Sequence, residues 1–221
     1  MTLLYIGFTI QLKMWHKFLI SVSVLTLAFG ILFISVFRTA SVSYKFSDTS
    51  SEFRQILGEA DVNIDYYLAY PGKVLPDSPL WPLKAFRDRL WLFFTTSQTR
   101  KAELKLLFAD KRVGAAKILF EKGKPDIAFT TLTKAEKYLE EAVLQDKENR
   151  SKNVDSTDFL KHLANASLKH YQIIQEIIVI APDDAKPKII QTEEYAKRAY
   201  EEARNALLEK SIMPPDNPFE W

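Results

Sequence analysis

Phe18 to Phe37, FLISVSVLTLAFGILFISVF, is a run of twenty residues without a charge. No other feature of the chain limits its folding so strongly. As an α-helix rising about 1.5 Å per residue, the run crosses the roughly 30 Å hydrocarbon core of a bilayer. Trp15, His16 and Lys17 precede it, an aromatic and basic edge suited to the headgroup layer, and Arg38 follows at once. The rival reading is a cleaved signal peptide. Its apolar region is normally about 7–15 residues long, and Arg38 spoils a small-x-small cleavage site ending at Ala40. Residues 1–38 are therefore read as tail and membrane anchor, with the lipid bilayer as partner through Phe18–Phe37. Met14, which opens MWHK, is a second candidate start. A short N-terminal tail before a long polar domain favours the tail inside the cytoplasm and the domain outside.

The formal net charge of +2 hides an asymmetry. Residues 1–38 hold Lys13, Lys17 and Arg38 and no acid, which leaves the rest of the chain one charge on the acidic side. A nucleic-acid binder needs a basic excess, so nucleic acid is not an expected partner. The chain has no cysteine, which excludes disulfide scaffolds, thiolate metal sites and cysteine nucleophiles. After the anchor, residues 39–65 begin with TASVSYKFSDTSS, a serine- and threonine-rich stretch that reads as a solvated stalk.

Tyr66 to Lys84, YYLAYPGKVLPDSPLWPLK, is too rich in aromatics and prolines for a free linker. Pro71-Gly72 suits the centre of a type II turn, because proline presets the first φ and glycine accepts the positive second one. In the step Leu75-Pro76-Asp77-Ser78-Pro79, Ser78 is placed to cap a helix whose first residue is Pro79. Tyr66, Tyr67, Tyr70, Leu75, Leu80 and Trp81 are expected to lie on a helical body, making the stretch an ordered clasp. The candidate interaction or clasp residues are Tyr66, Tyr70, Pro71, Gly72, Pro76, Asp77, Pro79 and Trp81, with Lys111 of the helical body.

The motifs YPGKVLPDSPLWPLKAFRDRLWLFFT and KAELKLLFADKRVGAAKILFEKGKPDIAFTTLTKAEKYLEEA resemble a bacterial family known as domain of unknown function 5667, over about Tyr66 to Ala142. The resemblance implies a helical extracytoplasmic domain, often behind a signal or anchor, and brings no activity. Trp81 stands where tyrosine is common in the family.

Helical periodicity continues from the clasp to near the C-terminus. Pro79 to Thr95 has one apolar face through Leu83, Phe86, Leu90 and Phe93 or Phe94. Gln98 to Lys122 is apolar on two sides and belongs between neighbours. Lys111 falls in one of its apolar stripes, either snorkelling out or pairing with Asp77 or Asp88. Gly123 suits a left-handed helix stop, and Pro125 opens a third helix to Lys147. The second and third helices make a hairpin like a tetratricopeptide unit, without a second copy at that family's spacing. A polar loop is expected over Glu148–Asp155, then helices from Ser156 to Ala181 and from Asp183 or Asp184 to Lys210. Phe219 and Trp221 in the proline-rich tail either fold back or stay free.

The chemistry search is short. His162 and His170 are eight residues apart, about 12 Å along a helix, too far to share a metal unaided. His170 on an apolar face reads as a satisfied core histidine. Adjacent acids such as Glu140-Glu141 and Glu201-Glu202 point about 100° apart and form no dyad. No phosphate loop or nucleophile elbow occurs. No catalytic, cofactor or metal residue is assigned.

The expected fold is all-α: an N-terminal transmembrane helix, then an antiparallel bundle of about five helices closed by the clasp. Residues 66–147 form the clasp and a three-helix core, and residues 148–221 two further helices and a tail. The expected role is a non-enzymatic binding or envelope-organising module outside the cytoplasm, with an envelope protein or polymer as partner. A sensory or regulatory ectodomain is the alternative.

Overall fold

The computed structural model describes residue 17, residues 19–28, residues 64–219 and residue 221, in a chain that divides into two units, Met1–Ser43 and Tyr44–Trp221. In the first unit residues 19–28 are helical and their aliphatic side chains are exposed. Among the described residues, no helix is long and apolar enough to cross a membrane. The remainder of the anchor reading, Phe18 and residues 29–37, and the stalk up to Asn63 lie outside the described residues.

The second unit is all-helical among the described residues. Its helices are α1 Trp81–Phe94, α2 Gln98–Glu121, α3 Pro125–Ser151, α4 Thr157–Ile180 and α5 Lys186–Glu209. Local chemistry sets most boundaries. Ser97 Oγ accepts from the Arg100 N–H at the start of α2. Gly123 ends α2 at φ +68°, and the Lys124 N–H reaches back to the Leu119 carbonyl at 3.0 Å.

Among α2 to α5, two boundaries differ from the sequence reading by more than one residue. α3 runs to Ser151 rather than Lys147, because its polar last turns are paired: Arg150 Nε donates to Asp146 at 2.8 Å, and buried Asn149 accepts from Gln145. Asn153 then closes it at φ +59°, with the Val154 N–H on the Asn149 carbonyl at 3.0 Å. Asparagine here does what glycine does after α2. α5 begins at Lys186, since residues 183–185 form a turn in which the Ala185 N–H bonds the Pro182 carbonyl.

α2, α3, α5 and α4 form a ring in which each helix packs on the next, with α2 and α5 on one diagonal. Fully buried Leu106, Leu119, Leu132, Leu139, Leu163 and Ile174 fill the centre. Each such side chain stabilises the fold by about 1.5–3 kcal/mol relative to exposure. α5 contributes Ala196, Ala199, Ala203 and Ala206, whose small side chains permit close helix approach. The tail folds back: Tyr171 meets Phe219 at 4.6 Å between ring centroids, and Trp221 lies on Tyr200 at 5.6 Å.

α1 stands outside this ring and packs on α2 alone among the helices. Its periodic apolar face is not the buried one. Leu83 is 69 % exposed, Phe93 79 % and Phe94 72 %, while the one buried residue of α1 is Asp88. The ring satisfies its own core without α1, so the stripe has no bundle surface left to cover.

Candidate functional site

The clasp reaches the bundle without regular secondary structure, through a tight turn in which the Tyr66 N–H bonds the Ile64 carbonyl at 2.7 Å. Ile64 is buried, Tyr66 and Leu68 are half-buried, and Asp65 and Tyr67 between them are exposed. This alternation accounts for the exposure of Tyr67 but not of Tyr70, which has the parity of Tyr66 and Leu68. Tyr66 and Trp81 lie on the helical body, whereas Tyr67, Tyr70 and Leu80 are 87 %, 63 % and 60 % exposed, contrary to the sequence expectation.

Pro71 is buried over Gly114 of α2, where an added Cβ would meet Leu68 Cδ2 at 3.4 Å and Pro71 Cδ at 3.5 Å. Gly72 takes φ +85°, the conformation the turn requires. Lys84 of α1 ties the turn down by donating to the carbonyls of Pro71 at 2.5 Å and Val74 at 2.9 Å. Pro76 is half-buried and Pro79 exposed. Helix α1 starts at Trp81, two residues later than the Ser78–Pro79 reading, because Pro82 also lacks an N–H and fits only in the first turn. The Trp81 N–H bonds the Ser78 carbonyl at 3.0 Å instead.

Asp77 accepts from Lys124 at 2.7 Å and Asp88 from Arg87 at 2.7 Å, so neither pairs with Lys111. Lys111 is only half-buried, which matches the snorkelling alternative. The buried cation is its neighbour Arg112. Its guanidinium lies 4.4 Å from the Tyr138 ring, 5.6 Å from Phe108 and 5.9 Å from Trp81, and Nη1 donates to the Phe108 carbonyl at 3.2 Å. Burial lowers its pKa, against the opposing effect of acids that include Asp88.

Beneath the clasp is a buried polar chain. The Tyr66 hydroxyl donates to Asp110 Oδ2 at 2.6 Å. Asp110 Oδ1 lies 3.1 Å from His170 Nε2, and His170 Nδ1 lies 2.8 Å from Glu136 Oε1. One chain of contacts thus joins the clasp, α2, α4 and α3. Both ring nitrogens face carboxylate oxygens, an arrangement satisfied when both carry protons. Burial alone would lower the His170 pKa, but the charges and hydrogen bonds of Glu136 and Asp110 outweigh it and raise it to about 9. Burial, followed by the Asp110 charge and hydrogen bond, pushes the Tyr66 hydroxyl far above its ordinary value. Glu136 Oε2 is buried without a hydrogen-bond partner.

The reading of His170 as a satisfied core histidine fits this geometry. Sequence reasoning missed Asp110 and Glu136. The signal available was one charged residue on each otherwise apolar face, Asp110 between Leu106 and Val113, and Glu136 between Leu132 and Leu139. A cleft of about 460 Å³ opens beside Tyr66, lined by Leu106, Asp110, Phe159 and His162. The Tyr66 and His162 rings meet at its edge, tilted by 52° with centroids 4.9 Å apart. His170 and Glu136 have no exposed surface to offer a substrate, and the raised Tyr66 pKa makes its hydroxyl a poor nucleophile. Among the described residues, no group of three or more histidines and acids is placed to hold a metal ion.

In the second unit, α1 carries an exposed apolar stripe. Leu83, Phe86, Leu90, Phe93 and Phe94 follow one another at helical spacing on its outer side. Arg89 neighbours Phe86 and Phe93 on the helix surface, and Arg87 neighbours Leu83 and Leu90. Lys134 of α3 lies near enough to Arg89 for their charges to interact. Burial, with the positive charges of Arg112, Arg89 and Lys137, lowers its pKa.

No curated protein matches the chain, and no solved structure does. A family model described as a domain of unknown function, DUF5667, matches residues 73–209, extending through α4 and α5 beyond the part legible from motifs. That span is well over half of the sequence, and the protein belongs to this family.

Proposed function

We propose that the chain is a membrane-anchored helical module outside the cytoplasm that works by binding rather than catalysis. The observation that carries this reading is the outer face of α1, where Phe93 and Phe94 are exposed by more than two thirds. Large contiguous apolar patches on a folded surface mark interaction sites. The uncharged run Phe18–Phe37 supports the anchor. The polar groups that could serve chemistry are instead consumed in buried pairs: Asp110, Glu136 and His170 bond one another, and Asp88 bonds Arg87. In this reading the module engages an envelope protein or polymer through that face.

A reporter active only outside the cytoplasm, fused after Trp221, tests the location. Activity of that reporter, with the bundle open to protease added to intact cells, is expected. Activity of a cytoplasmic reporter in the same position overturns the reading. The paired variant Leu90→Glu with Phe93→Glu is expected to weaken recovery of envelope components with the protein while leaving its helical circular dichroism unchanged.

A further inference from the structure

We propose that the groove between α4 and α5 is a docking site for the proline-rich tail of a second copy of the chain, and that two copies lock together by exchanging their tails. This goes beyond the binding reading and does not rest on it, since α1 takes no part. Three observations carry it.

The first is how the tail is held. From Ile212 its described residues form neither helix nor strand, and side chains fix it to the bundle. The Tyr200 hydroxyl donates to the Pro215 carbonyl at 2.7 Å. The Tyr171 ring meets Phe219 at 4.6 Å and Trp221 at 5.3 Å, and Tyr200 meets Trp221 edge-on at 5.6 Å. Lys197 Nζ lies 6.0 Å from the Trp221 ring. A tyrosine-lined groove holding a segment stiffened by Pro214, Pro215 and Pro218 is the chemistry by which aromatic grooves take proline-rich peptides. Such a ligand loses little freedom on docking, because proline fixes φ beforehand.

The second is that the tail shapes itself. The Phe219 N–H donates to Asn217 Oδ1 at 3.0 Å, and Asn217 Nδ2 donates to the Trp221 carbonyl at 3.1 Å. The Trp221 N–H bonds the Phe219 carbonyl at 3.0 Å. These bonds set Phe219 and Trp221 for the groove and use no atom of α4 or α5. The tail therefore carries its binding shape with it. Every copy of the chain holds both this ligand and the groove that fits it.

The third is the hinge. To return to Tyr200 the chain reverses at the end of α5, through Ser211 at φ +58°, a conformation unfavourable for a residue with a Cβ. Ile212 and Met213 alone separate Ser211 from the stiff Pro214-Pro215 pair, and Met213 is 83 % exposed. A short strained hinge favours exchange, because opening it relieves the strain while every tail–groove contact is remade on the second copy. Two tails and two grooves close a symmetric pair and leave none over for a third chain.

Two variants of the full chain in detergent test this by complementation. Phe219→Ser with Trp221→Ser keeps the groove and removes the tail's anchors. Tyr171→Ala with Tyr200→Phe keeps the tail and spoils the groove. Neither variant can match tail to groove by itself, so each is expected to sediment as a monomer with unchanged helical circular dichroism. Mixed in equal amounts, they are expected to form a one-to-one pair, the tail of the second in the groove of the first. A fluorescent peptide of residues 211–221 is expected to bind the tail variant, and to bind the native chain roughly tenfold more weakly because the native groove is already filled.

A mixture that stays monomeric while the peptide binds the tail variant overturns the proposal, since the groove then serves only the tail of its own chain. No binding of the peptide to the tail variant overturns it as well, whether or not the groove variant folds. Equal binding of the peptide to the native chain and the tail variant also contradicts it, because the peptide then sits outside the groove. So does a pair formed by the tail variant alone, which places the contact between copies on another surface.

Discussion

His170 Nδ1 lies 2.8 Å from Glu136 Oε1, and the two residues, from α4 and α3, are both fully buried. Those helices sit across the ring from each other and share little other packing, so the contact spans the core. With Asp110 on the other ring nitrogen, His170 joins three helices at one point. A buried ion cluster of this kind is sensitive to losing one member, because the others are left charged without partners.

The first prediction concerns pH. The His170 pKa is raised from 6.5 to about 9 in the folded chain. A raised pKa means that the folded state holds the proton more tightly. Its contribution is complete below about pH 6.5 and is lost as pH rises through about 9. The stability of the bundle, measured by urea denaturation, is expected to fall across that window by a few kcal/mol at most. His170→Gln is expected to flatten this slope. An unchanged slope in the variant would show that His170 is not the group responsible.

Removing the histidine outright is expected to be severe. His170→Leu leaves Asp110 and Glu136 buried and facing an apolar group, at about 3–5 kcal/mol. The triple replacement Asp110→Leu, Glu136→Leu and His170→Leu is expected to recover much of that loss, because no orphaned charge remains. The two urea midpoints compared side by side check this.

Tyr66→Phe removes the hydroxyl that binds Asp110 Oδ2 and is expected to cost about 1–3 kcal/mol. The effect is local. Amide exchange over the clasp, residues 64–75, is expected to accelerate, while α3 and α5 keep their protection. Lys84→Met, which removes the donors to Pro71 and Val74, is expected to loosen the same segment.

At Gly114 the space, not the backbone, decides. An alanine Cβ there meets Leu68 and Pro71 at ordinary contact distance, and alanine gains up to about 1 kcal/mol of helix propensity over glycine. Gly114→Ala is therefore expected to be neutral or stabilising, while Gly114→Leu drives the clasp off α2. Gly72→Ala is expected to destabilise by about 1–2 kcal/mol, since its φ of +85° is unfavourable for a residue with a Cβ. Thermal melts of the three variants separate these effects.

Arg112→Lys is expected to destabilise the α1–α2 seam more than its preserved charge suggests. The planar guanidinium stacks against Tyr138 and donates to the Phe108 carbonyl, and an ammonium cannot reproduce both. Near-ultraviolet circular dichroism of the Trp81 and Tyr138 environment reads the change.

Features written in local chemistry were legible before any coordinates. The positive φ of Gly72 and Gly123 and the start of α3 at Pro125 each follow from one or two residues. The partners of His170 were not, because they lie 60 and 34 residues away and no spacing rule joins them. Arg112 was missed for its neighbour Lys111 because a helix apolar on two sides leaves its rotation ambiguous. One residue is 100° of turn. The end of α3 reads as loop in the sequence because its last turn is polar, yet Asp146 and Asn149 are buried there with partners. The stripe on α1 was visible, but periodicity shows only that an apolar face exists. Whether protein or something else covers it depends on whether the ring of four helices is already complete.

Hydroxyl-radical footprinting of the native chain in its membrane, set against the detergent-purified chain, tests the account most directly. Binding through α1 predicts that Trp91, Phe93 and Phe94 are protected in the membrane preparation relative to Met213 and Tyr67. Equal oxidation of these α1 residues in both preparations would contradict it.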